Sequence, residues 1–105
     1  MDVVNKIKKM RDREIMDAIN SLTDLSFEHK NLLHIFVHVT PHTGDVSISA
    51  YPIDYSWGAE SEGMIFFKNI SLETDTSLIE LLTIEDQLIE MIAETREKQQ
   101  SEVAA

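Results

Sequence analysis

A chain of 105 residues that is 43% hydrophobic can bury one modest core, and it holds no apolar run long enough to span a membrane. It has no cysteine, which excludes a disulfide framework, a thiolate metal site and a cysteine nucleophile. A net charge of −10 favours solubility and disfavours phosphate backbones as partners.

The charge is unevenly spread. Within residues 1–13, Lys6, Lys8, Lys9, Arg11 and Arg13 are opposed only by Asp2 and Asp12, whereas from Glu14 to Thr95 only Lys30 and Lys68 oppose the acids. Such a body suits a basic protein partner, or imitation of a nucleic acid. The opening MDVVNKIKKMRDRE lacks the apolar segment of a secretory signal, so a cytoplasmic location is expected.

Val4, Ile7, Arg11, Ile15, Ala18 and Leu22 follow a 3.6-residue period and predict a first helix over 2–21. Its basic residues sit in the half where the helix dipole prefers acids. NSLTD is expected to end it, and residues 25–31 to form a connector with Leu25 and Phe27 against the core.

Two β-rich runs, 32–40 and 45–51, flank PHTG and predict a hairpin. Pro41 presets φ for the turn, and Gly44 supplies the left-handed conformation that closes it. Pairing Thr40 with Asp45 puts Ile35, Val37, Val39, Val46, Ile48 and Ala50 on one apolar face. His34, Phe36, His38, Ser47, Ser49 and Tyr51 then share the other, as a sheet wet on one side requires.

PIDYSWGAESEG is irregular and brings together Tyr55, Trp57, Glu60 and Glu62, aromatic anchors among acids that suit protein recognition. Residues 64–72 predict a third strand, in which adjacent Phe66 and Phe67 imply either an aromatic on the outer face or a bulge. Residues 76–99 predict a long helix capped by Asp75 or Thr76. Its stripe of Leu78, Leu81, Leu82, Glu85, Leu88, Ile89 and Ile92, widened by Ile79, Ile84 and Met91, exceeds what one sheet face needs. Ile79, Leu82, Ile89 and Met91 are the residues expected at a homodimer interface.

The expected fold class is α+β, ordered α-β-β-β-α: a three-stranded antiparallel meander with both helices packed on one face. Residues 1–100 are expected to form the domain and 101–105 a frayed tail. The double-stranded-RNA-binding domain has the same element order. It meets phosphates with basic side chains at its second helix, where this chain has the acidic LETDTSLIELL, so RNA binding is not carried over.

His34, His38 and His42 recur every fourth residue. In a strand such positions lie about 13 Å apart, too far for two imidazoles to share an ion. No metal ligand, cofactor or catalytic residue is therefore expected. Ser47, His38 and Asp45 can be drawn as a triad, but a flat sheet face supplies neither a pocket nor an oxyanion hole. Dinucleotide, P-loop and HExxH motifs are absent.

Short, acidic and cysteine-free, with this helix–meander–helix order, the chain resembles small accessory proteins of bacteriophages and other mobile elements. That resemblance implies a regulator or inhibitor of a host protein complex. The expectation is a non-enzymatic homodimer that binds a protein through His34, Phe36, His38, Tyr51, Tyr55, Trp57, Glu60 and Glu62. The alternative is a nucleic-acid-mimicking inhibitor, and a third reading is metal or ligand binding at the histidine face.

Overall fold

The computed structural model describes residues 2–55 and 63–104. In chain order these form α1 (Val3–Glu28), β1 (Leu33–Thr40), β2 (Asp45–Pro52), β3 (Phe66–Ser71) and α2 (Ser77–Ala104). The strands make one antiparallel sheet in the order β1-β2-β3. The α+β, α-β-β-β-α architecture read from the sequence is the one observed.

The hairpin register is also the expected one, with Thr40 opposite Asp45, Val37 opposite Ile48 and His34 opposite Tyr51. Gly44 closes the turn with φ +66°, and its N–H donates to Thr40 O at 3.0 Å. β3 joins without a bulge, so Phe66 turns inward beside the core and Phe67 stands on the outer face, 54% exposed.

α1 runs past its expected end. Residues 22–28 are helical, because the side chains meant to break the helix find acceptors that leave it intact. Thr23 Oγ1 donates to Ile19 O at 3.1 Å, and Ser26 Oγ donates to Ile35 O of β1 at 2.6 Å. Leu22 is fully buried and Leu25 packs on the core, so tertiary burial prolongs the apolar period. Phe27 does not tuck inward; it is 70% exposed, with Lys30 Nζ 4.2 Å from its ring centre. α2 likewise runs on to Ala104, beyond the expected boundary at 99.

Three strands between two helices make the helices parallel. Arg11 reaches Thr74 and Asp75, Ser21 Oγ donates to Glu85 at 2.5 Å, and Arg96 meets His29 at 3.3 Å, all in the same sequence direction. α1 packs over β1 and α2 over β3. Ile15, Ala18, Ile19 and Leu22 of α1 and Leu81, Ile84, Leu88 and Ile92 of α2 bury against Ile35, Val46, Ile48 and Ala50. Each fully buried Leu, Ile or Val side chain contributes about 1.5–3 kcal/mol.

Because Arg11 lies level with the start of α2, residues 3–10 project beyond it, and the end of α2 projects at the opposite end. The molecule is accordingly elongated, 62 × 29 × 19 Å.

Candidate interaction surface

The helices cover one face of the sheet, and among the described residues no helix packs on the other. Strand alternation sorts that outer face into cross-strand rows. Phe36, Ser49 and Phe67 form one row, and His38, Ser47 and Asn69 the next. Thr40, Asp45 and Ser71 complete the turn end. Ser49 is small, so the rings on either side stand clear of it, with Phe36 47% and Phe67 54% exposed.

Tyr51 is the diagonal neighbour of Phe36, and their rings meet edge-on at 5.9 Å and 78°. Tyr51 also lies 4.8 Å from Tyr55, tilted by 44°. His34 Nε2 is 3.3 Å from Ile53 O, and Tyr55 N donates to Pro52 O at 3.1 Å, which together fold the chain after β2 back over this end. Aromatic rings thus gather at the Pro52 end of the face.

The turn end is polar and internally bonded. Asp45 accepts from Thr43 Oγ1 at 2.8 Å and from Asn69 Nδ2 at 3.4 Å, while Ser47 Oγ donates to Asn69 Oδ1 at 2.9 Å. Among the described residues no hydrogen bond joins His38 to Ser47 or Asp45, so the paper triad has no assembled geometry. Asp45 is the one acid in these cross-strand rows; Asp17, Asp24 and Glu28 of α1 and Asp86, Glu90 and Glu94 of α2 are exposed on the helical layer. These helical acids and the Phe36–Phe67 row therefore occupy opposite layers.

Of the residues expected to bind a partner, the structure brings together His34, Phe36, His38, Tyr51 and Tyr55; Trp57, Glu60 and Glu62 lie outside the described residues. His34 and His38 both sit in β1, His42 in the turn and His29 at the end of α1. Among the described residues no group of three or more His, Cys, Asp or Glu is placed to hold a metal ion.

On α2, Ile79 is 67% exposed, and Leu82 and Ile89 are each 47% exposed. Met91 is not part of that surface: it is partly buried against the chain's own core. A further apolar surface escaped the sequence reading. In the projecting turns of α1, Val3, Val4, Ile7 and Met10 are 60–72% exposed. The signal lay in lengths: a 26-residue helix spans about 39 Å at 1.5 Å per residue, whereas an 8-residue strand spans about 27 Å.

No family model, curated protein or solved structure matches this chain. Among the described residues no helix is long and apolar enough to cross a membrane.

Proposed function

We propose that this chain is a non-enzymatic protein-interaction module that self-associates and offers the outer face of its sheet to a protein partner, as a regulator or inhibitor acting by occupancy. The observation that carries this reading is the cross-strand row of Phe36, Ser49 and Phe67, with Phe36 47% and Phe67 54% exposed, beside the Tyr51–Tyr55 pair. Exposed aromatic clusters are the anchors from which protein interfaces draw most of their binding energy. The exposed Ile79, Leu82 and Ile89 support self-association.

A basic partner fits the net charge of −10. With the acids on the other layer, that charge acts by long-range steering while the aromatic face makes the contact. The test is site-specific photo-crosslinking in native host extract from position 36 or 67, with exposed position 24 on α1 as control. The partner captured from the sheet positions should lose at least tenfold in affinity with Phe36→Ala plus Phe67→Ala, equivalent to about 1.4 kcal/mol. Unchanged binding by that double variant sinks the reading.

The nucleic-acid-mimic reading draws on Asp86, Glu90 and Glu94, an exposed row with four-residue spacing on α2. Successive members are about 6 Å apart along the helix. One strand of duplex DNA carries a charge every ~3.4 Å of axis, so the row is about twofold too sparse and only three residues long, and the interaction reading stands ahead. Competition against DNA for a basic nucleic-acid-binding enzyme separates the two.

A further inference from the structure

The apolar stripe of α1 does not stop where its burial stops. Ile15 is 4% exposed and Leu22 fully buried, yet about two and three turns before Ile15, Ile7 and Val4 continue the same stripe at 60% and 72% exposure. Val3 and Met10 widen it, at 68% and 61%. Beneath these turns an open groove of about 640 Å³ is floored by Gly44 and Leu72 and flanked by Lys8, Arg11 and Glu73. The segment is also the basic part of the molecule, through Lys6, Lys8, Lys9, Arg11 and Arg13.

The complementary surface is on α2. Ile79, Leu82 and Ile89 are exposed, and the neighbouring Glu80, Asp86 and Glu90 are exposed acids. One stripe is apolar and basic, the other apolar and acidic. Within one molecule they cannot meet, because Arg11 holds α1 against Thr74 and the projecting turns lead away from α2.

We infer that residues 3–10 of α1 dock on the Ile79–Leu82–Ile89 stripe of α2 in a second copy of this chain. Exchange is reciprocal across a twofold axis, so two such contacts close the dimer and leave neither stripe open. The inference rests on the self-association proposed above and adds to it the surface that covers α2. An anionic membrane fits this helix less well, since lying flat would bring the acidic body against like charge.

The test uses the full chain at low salt, in size-exclusion chromatography with light scattering. One variant reverses the basic turns (Lys6→Glu, Lys8→Glu, Lys9→Glu). The other reverses the acidic stripe (Glu80→Lys, Asp86→Lys, Glu90→Lys). All six side chains are exposed, and circular dichroism checks that both variants remain folded. The natural chain is expected to be a dimer. Each variant alone should dimerise at least tenfold more weakly, a difference of about 1.4 kcal/mol. An equimolar mixture should restore the dimer, because both contacts are then complementary again.

A natural chain that is monomeric at tens of micromolar overturns self-association and this inference together. A dimer indifferent to reversal of Lys6, Lys8 and Lys9, or variants that fail to rescue each other, overturns this inference alone. Co-sedimentation of a monomeric natural chain with phosphatidylserine vesicles would assign the basic turns to a membrane instead.

Discussion

Arg11 of α1 donates through its guanidinium to the carbonyl oxygen of Thr74, just ahead of α2, and lies 3.6 Å from Asp75. It occupies a core-facing position of the α1 stripe but is long enough to cross to the β3–α2 connection. The contact aligns the two helices and marks where the covered part of α1 begins.

Arg11→Met should therefore destabilise the fold by about 0.5–1.5 kcal/mol, the net worth of an ordinary hydrogen bond, because the bond to Thr74 is solvent-exposed. Asp75→Asn should leave stability unchanged, since its side chain is fully exposed and the ion pair is screened. Urea denaturation of both variants checks this. Equal losses would show that the ion pair, not the bond to Thr74, holds the helices in line.

Gly44 combines φ +66° with a close neighbour: a Cβ there would lie 2.6 Å from Glu73 Oε1. Gly44→Ala should cost roughly 1–2 kcal/mol through the left-handed conformation alone, and more through the collision. Adding Glu73→Ala should recover the collision part and leave the conformational part. A double variant no more stable than Gly44→Ala would mean that Glu73 simply swings aside.

Leu88 and Leu82 belong to the same helix and differ in what they touch. Leu88 is fully buried, so Leu88→Ala should cost about 2–5 kcal/mol. Leu82 is 47% exposed, and Leu82→Ala should change the stability of the separated protomer by only about 0.5 kcal/mol. Thermal melts at the lowest workable protein concentration make the comparison. A large Leu82 effect under those conditions would place its side chain in the protomer's own core.

His34 and His38 share β1, where four-residue spacing separates them by about 13 Å. Excess zinc should leave the melting temperature unchanged, whereas a folded-state site would raise it by mass action. A rise that His38→Ala abolishes would contradict this geometry.

Much of this fold was legible in the residues, and the reasons are local. The hairpin register follows from Pro41 and Gly44 at the turn and from Ile35, Val37 and Val39 facing Ala50, Ile48 and Val46; a one-residue slip would have moved that set into water. The same alternation put Phe36 and Tyr51 on the outer face. The end of α1 was not legible, because Asn20, Ser21, Thr23 and Asp24 are ordinary breaking residues. Only the fold supplies what prolongs it: Glu85 as acceptor for Ser21, and Ile35 O for Ser26. The apolar surplus of α2 was visible, but not which members pack inward, so Met91 and Leu82 looked equivalent until the core placed one and exposed the other.

The odd strand count has an electrical consequence. Parallel helices point their peptide dipoles the same way, so both partial positive ends lie toward the Gly44 turn, where Lys6, Lys8 and Lys9 already project. Negative charge is spread along the rest of a body 62 Å long. The chain is thus an electric rod with a permanent moment along its length. It turns its basic tip toward an acidic surface before touching it, so dilute salt should set the orientation of encounter as well as its rate.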